Sequence, residues 1–170
     1  AATAGDALLP RLPRGAAVVV EVDLARLRAN PAVGAVARAF IDGGAAPVAA
    51  LTPAAALVDA EVVVLAAYAL GRPDAHTVTL VRGGHRPQAA VALADDVWML
   101  TDEGATAAVL TVAPGASVAD DAALMAARAA VMPAAADGAA VRAVARLDSA
   151  ARRGLVDALD AAAPPTALAA

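Results

Sequence analysis

Apolar positions along this 170-residue chain follow two different periods. Where apolar and polar residues alternate, a half-buried strand is expected; where apolar residues recur at three and four, an amphipathic helix is expected. Residues 17–23 alternate, with Val18, Val20 and Val22 on one face and Val19 and Glu21 on the other. This predicts a strand, after which Asp23 caps a short turn through Arg28. Asn30-Pro31 starts a second helix, with Asn at the N-cap and Pro at the first helical position. Val33, Val36, Ala37, Phe40 and Ile41 give that helix one apolar face, and Gly43-Gly44 ends it. Thr52-Pro53 repeats the capping logic for a short helix to about Val58.

A run of strands follows. Residues 61–70 are nearly all apolar and predict a central strand buried on both faces. Gly71-Arg72-Pro73-Asp74 is a turn, residues 77–82 alternate, and Gly83-Gly84-His85-Arg86-Pro87 is another turn. Residues 89–94 and 97–101 flank Asp95-Asp96, the spacing of a two-residue hairpin. These four strands are expected to be consecutive antiparallel neighbours, with Val33, Val36, Phe40 and Ile41 packed on one sheet face.

Helical pattern resumes over residues 103–112, stopped by Pro114-Gly115, and over 121–132, stopped by Pro133. The second of these helices carries Leu124, Met125, Val131 and Met132 as its apolar stripe. Residues 140–147 return to a strand, with Val141, Ala143, Ala145 and Leu147 expected inward and Arg142, Val144 and Arg146 outward. Ser149 is expected to cap a last helix bearing Leu155 and Leu159, ended by Pro164-Pro165. Residues 1–14 hold two prolines and no periodicity, and read as an extended lead-in.

The element order predicts an α+β fold: a mainly antiparallel sheet of five or six strands, ferredoxin-like in flavour, with helices on one face. Residues 15–137 form the module. Residues 138–170 are a strand-helix segment, either its last part or the start of a second module. The echo between Gly15-Ala16-Ala17-Val18 and Gly138-Ala139-Ala140-Val141 raises the second option.

Composition changes this picture in three places. All thirteen basic residues are Arg, and Ile, Asn, Phe, Tyr and Trp occur once each, the mark of a GC-rich genome. The 61% hydrophobic content is dominated by Ala, so the core rests on Val and Leu. A net charge of −4 with scattered arginines offers no basic footprint for nucleic acid. No stretch is long and apolar enough to predict a transmembrane helix. The absence of Cys excludes disulfides and thiolate chemistry. The opening Ala1-Ala2-Thr3-Ala4-Gly5-Asp6 is what signal cleavage, or trimming, leaves; the expectation is an exported chain, secreted or periplasmic and envelope-associated.

The rhythm of Val18-Val19-Val20-Glu21-Val22-Asp23-Leu24, and of Asp120-Asp121-Ala122-Ala123-Leu124 running to Pro133, resembles uncharacterised secreted proteins and lipoproteins of GC-rich, myxobacterial-type bacteria. Those proteins are built from repeated α+β modules, and the resemblance covers most of residues 15–155. It implies export and modular assembly, and brings no activity or catalytic residues with it.

Catalytic constellations find little support. No Gly-x-Gly occurs, and the absence of Lys removes phosphate loops and Schiff bases. Ser117 and Ser149, the only serines, precede helices and read as N-caps rather than nucleophiles. His76 and His85 bracket one strand and would stand roughly 30 Å apart on it, too far to share a metal. Asp95-Asp96, Asp102-Glu103 and Asp120-Asp121 suit a hairpin turn and helix N-termini, and lack calcium-loop spacing. No cofactor and no metal are expected.

Two features point to contact instead. Trp98 is either core or a half-exposed binding anchor. Arg142 and Arg146 on one strand face, with Arg152 and Arg153 on the next helix, form either a solvated edge or a docking face for an acidic partner or a further module. With Val144 between the strand arginines, these residues are the candidate interaction site. The expected function is that of a non-enzymatic exported or envelope-associated protein acting through protein–protein contacts, as a structural or assembly subunit. Its partners would be other subunits or further modules of the same chain. The alternative is a small-molecule-binding or enzymatic ferredoxin-like domain, marked by a pocket containing Trp98 or either His.

Overall fold

A computed structural model describes residues 3, 5–31, 57–101, 103–131 and 139–162. The helix expected after Asn30, most of the one expected after Thr52, and Met132 and Pro133 lie outside them. The chain is an α+β protein. Its strands are β1 (Val18–Asp23), β2 (Ala60–Tyr68), β3 (His76–Gly83), β4 (Val91–Ala94), β5 (Val97–Thr101) and β6 (Val141–Ala145). They form one six-stranded sheet in the order β4-β5-β3-β2-β1-β6. Every pairing is antiparallel, so the sheet lacks the parallel pair of a ferredoxin-like split βαβ unit. The helices are α1 (Leu24–Ala29), α2 (Glu103–Leu110), α3 (Ala122–Ala130) and α4 (Ser149–Ala162).

β2 is central and, from Val62 to Tyr68, buried on both faces, as its apolar run requires. Its even-numbered residues Val62, Val64 and Ala66 join Val19, Val78, Leu80, Met99 and Val144 in the larger core. Val109 of α2 and Leu124 of α3 cover that face. On the other face, Val63, Val81 and Trp98 pack with Leu24 of α1 and Leu57. Helices therefore lie on both sides of the sheet. Asp23 caps α1, its carboxylate accepting from Arg26 N–H at 2.8 Å, and Asp121 caps α3 through Leu124 N–H at 3.1 Å.

Several placements differ from expectation. β3 pairs with β5, not with β4, which becomes the edge. The hairpin β4–β5 must offer one strand to β3, and β5 brings Val97, Trp98 and Met99 where β4 brings two alanines. Putting β5 inside buries more apolar area. The lead-in is also not loose: residues 9–11 form a 3-10 turn, and Leu8, Leu9 and Leu12 are fully buried in the larger core. In α3, Leu124 is buried but Val131 just beyond is exposed.

A further difference concerns β6, whose two faces are reversed. Val144 is buried opposite Val19, and Arg142 is half-buried opposite Glu21. Val141, Ala143 and Ala145 are exposed. Val141 and Val144 are three apart and cannot share a face. The register that sets Val144 on Val19 in the larger core wins over one that buries Val141 among alanines.

Candidate interaction surface

β6 is one edge of the sheet and is hydrogen-bonded to β1, so the segment at which a second module could begin is part of the same sheet. Asp23 N–H donates to Ala140 O and Arg146 N–H to Ala17 O. In this register the hydrogen-bonded pairs are then 17↔146, 19↔144, 21↔142 and 23↔140. The backbone groups of Arg142 and Val144 point to β1. Those of Val141, Ala143 and Ala145 point outward, and no described residue forms a strand beside them.

The opposite edge is protected. β4 is short, its register shifts between Ala92 and Ala94, and Arg11 donates from Nη1 to Leu93 O at 3.3 Å. Bulges and cations are how proteins blunt an edge. β6 has a continuous register and no proline, and Val141 on its outer row is 53% exposed.

Beyond the end of β6, Asp148 caps α4 and replaces the expected Ser149, which is the first helical residue. The Asp148 carboxylate accepts from Ala151 N–H at 2.8 Å and pairs with Arg72 at 2.8 Å. Those two interactions, the backbone bond first, hold its carboxyl below the usual range. Arg146 reaches Asp121 at 3.4 Å but stays 56% exposed, and Arg152 donates from Nε to Leu147 O at 3.2 Å. Arg152 and Arg153 are exposed on α4. Between the ends of β1, β2 and β6 and the start of α4 lies an open cleft of about 510 Å³, lined among others by Tyr68, Ala69, Arg72 and Arg146. Ala69 there adopts φ +51, a left-handed conformation for a residue with a side chain.

Arg142, Val144, Arg146, Arg152 and Arg153 thus belong to consecutive elements at one end of the sheet. Arg142 and Val144 face the core side; Arg146, Arg152 and Arg153 face solvent. Trp98 is not with them. It lies on β5 with three strands between, is 3% exposed, and donates its indole N–H to Gly83 O at 2.9 Å. It is a core residue, and so no anchor for a partner.

The groups with catalytic potential are dispersed. Ser117 is buried, and its hydroxyl donates to Asp120 at 2.5 Å, not to a histidine. His76 stacks on Tyr68 at 5.0 Å between ring centroids, and Tyr68 donates its hydroxyl to Pro13 O at 2.8 Å. Burial pushes the Tyr68 phenol up, so it stays a proton donor. His85 is exposed beside Asp59. Among the described residues no group of three His, Cys, Asp or Glu could hold a metal ion, and no helix is long and apolar enough to cross a membrane.

Sequence reasoning missed one polar cluster. The Arg128 fork clasps the Glu21 carboxylate, Nε to Oε1 at 2.6 Å and Nη2 to Oε2 at 2.9 Å. It also bonds Asp6 at 2.5 Å and the Thr3 hydroxyl at 3.1 Å. A side chain on Gly5 would collide with the Glu21 carboxylate, so glycine lets the lead-in pass this close. The available signal was Glu21 itself, a single charge in a run of valines. The fold is thus that of an α+β sheet protein with one protected edge and one edge, that of β6, beside which no described residue forms a strand. No family model, no curated protein and no solved structure matches the chain.

Proposed function

We propose that the chain is a non-enzymatic, exported or envelope-associated module that acts through protein–protein contact along the β6 edge. The observation that carries this is the contrast between the two edges. β4 is bulged and attended by Arg11, whereas β6 is regular and turns a row of backbone N–H and C=O groups outward. A regular edge is a template for a further strand, and arginines on it keep such an edge from indiscriminate pairing. Exposed Arg146, Arg152 and Arg153 beside it add charge that selects among partners. The partner is another subunit or a further module of the same chain. The export half of the reading rests on the sequence rhythm it shares with secreted modular proteins.

The pocket-based alternative receives less support. The cleft beside α4 contains neither Trp98 nor a histidine, and both of its arginines have carboxylate partners.

The test is site-specific photo-crosslinking in cells that produce the protein, with the photoreactive residue at Ala143 or at Ala92 and the products identified by mass spectrometry. Links formed at Ala143 and not at Ala92, from protein found in the envelope or medium fraction, are expected. Links at Ala92 alone, or none at either, overturn the contact reading; a purely cytoplasmic fraction overturns export.

A further inference from the structure

We infer that the partner received at β6 is an acidic strand, one that carries two carboxylates four residues apart with an apolar residue midway between them. This rests on the contact reading above and names the chemistry of its partner.

Arg142 is half-buried, and its Nε lies away from water without a hydrogen-bond partner. Glu21 stands directly opposite on β1, but the Arg128 fork holds both of its carboxylate oxygens. Asp6 is held in the same way, by Arg128 and by the Thr3 N–H. Both nearby anions are therefore spent on another cation, and Arg142 forms no ion pair among the described residues. An arginine donor buried without an acceptor is costly. At an edge strand the cost has a remedy. The long side chain can turn its fork over a strand laid alongside β6, where a carboxylate on that strand supplies the acceptor.

The alternation of β6 sets the spacing. Val141, Ala143 and Ala145 turn their backbone groups outward, so Arg142, Val144 and Arg146 fall at the closer, non-hydrogen-bonded positions of an antiparallel neighbour. Side chains directly opposite one another interact there, and opposite charges are favourable. β1 meets the same row from the other side, with Glu21 opposite Arg142 and Val19 opposite Val144. A partner strand completes the row with a carboxylate against Arg142, an apolar residue against Val144 and a carboxylate against Arg146. Arg146 is available for this: its contact with Asp121 is long, at 3.4 Å, and the side chain is 56% exposed, which leaves most of its donors to solvent.

Charge also decides whose strand it is. In the 170 residues no two acidic side chains stand four apart, so neither a second copy nor any stretch of this same sequence offers the pattern. A second copy of β6 would instead bring its own Arg142 and Arg146 to the arginines already there. Arg152 and Arg153, exposed on α4, extend the cationic margin, while the chain as a whole carries −4. An acidic partner is thus drawn to this end of the sheet and repelled by the molecule at large.

The probe is the end-blocked peptide Thr-Glu-Thr-Val-Thr-Glu-Thr, titrated to about millimolar concentration into the isotope-labelled chain and followed by nuclear magnetic resonance. The amides of Val141, Ala143 and Ala145 are expected to shift. Thr-Glu-Glu-Thr-Val-Thr-Thr, with the same composition and the spacing broken, and Thr-Lys-Thr-Val-Thr-Lys-Thr are expected to bind more weakly. Arg142→Gln and Arg146→Gln are each expected to weaken the first peptide about two- to five-fold, and added salt to weaken it further. Circular dichroism checks the fold of Arg142→Gln; Arg146→Gln changes an exposed side chain and tests the same row without that risk.

Equal binding of the two acidic peptides, binding unchanged in both variants, or no shift at these amides with any peptide overturns the acidic strand. If photo-crosslinks at Ala143 to a different protein persist in that case, the contact reading stands without it. Links from Ala143 only into the chain's own residues, or none at all, bring both down.

Discussion

Arg128 and Glu21 set the energetics at the scale of single residues. Both are nearly withdrawn from water and face each other as a two-pronged pair, with Asp6 as a second anion. Taking one partner away leaves the other buried and uncompensated, which costs about 3–5 kcal/mol. Arg128→Met is therefore expected to lower the urea midpoint sharply. Arg128→Met with Glu21→Leu is expected to recover most of the loss, because a buried ion pair and a well-packed apolar pair are often close in energy. Equal destabilisation of the single and double variants would show that the pair itself, and not the orphaned charge, sets the cost.

Asp6 gives the same cluster a pH dependence. Burial acts to raise its pKa, but the Thr3 N–H and the Arg128 guanidinium outweigh that and hold the carboxyl below its ordinary value of 3.8. With the folded value below the unfolded one, the contribution is complete above about pH 4 and is lost as pH falls through the folded value. Asp148, depressed first by the Ala151 N–H and then by Arg72, acts in the same direction. Stability should be flat on this account above pH ~4 and fall below it. Asp6→Asn should be less stable at neutral pH, with a shallower acid limb. An unaltered limb in that variant would exclude Asp6 as its source.

Elements are where the sequence was most and least legible. β2 announced itself because the apolar run from Val62 to Tyr68 fits a central strand buried on both faces. The cap at Asp23 and the Asp95-Asp96 turn follow from local chemistry alone. Strand order did not, because it depends on which strand of a hairpin buries more against a third strand distant in sequence. The facing of β6 failed because Val141 and Val144 sit three apart, a spacing that alternation cannot assign; only pairing to Val19 and Glu21 decides it. Of the candidate surface, its arginines were readable and Trp98 misleading, since burial of a lone Trp is set by its register on β3.

The seating of α4 was likewise invisible in the sequence. Gly154 packs on the Gly71 backbone, where any Cβ would come within 2.7 Å of Gly71 Cα, and Gly71 itself has φ +75. Gly154→Ala must push α4 off the β2–β3 turn, an overpacking cost of about 1–3 kcal/mol. The ion pair Arg72–Asp148 cannot compensate, being more than half exposed at both partners and screened by solvent. Hydrogen exchange should then rise in α4 and around residues 69–72 while the amides of β2 and β3 stay protected. Uniform loss of protection would mean that α4 unfolds only with the sheet.

On the scale of the whole molecule, the lead-in is part of the core. Leu8 and Leu12 are fully buried and Leu9 is 1% exposed, all three in the cluster under α2 and α3. The same segment bonds across the fold: Val118 N–H to Leu12 O at 2.8 Å, Arg14 N–H to Ala116 O at 2.8 Å, and the Tyr68 hydroxyl to Pro13 O. It also supplies Asp6 and Thr3 to Arg128. An alanine-rich core has few large side chains, so each buried leucine carries an unusual share of it. Losing one costs about 2–5 kcal/mol, and domains of this size hold about 5–15 kcal/mol in all. Leu8→Ala or Leu12→Ala alone should therefore leave a folded but weakened protein. Removal of residues 1–14 should abolish cooperative unfolding and leave Glu21 and Arg128 without their anionic neighbour and covering chain. Thermal denaturation followed by circular dichroism would separate the cases. A truncated chain that still melts in one sharp transition would show that sheet and helices close their core without this segment, and would leave the burial of its three leucines without energetic consequence.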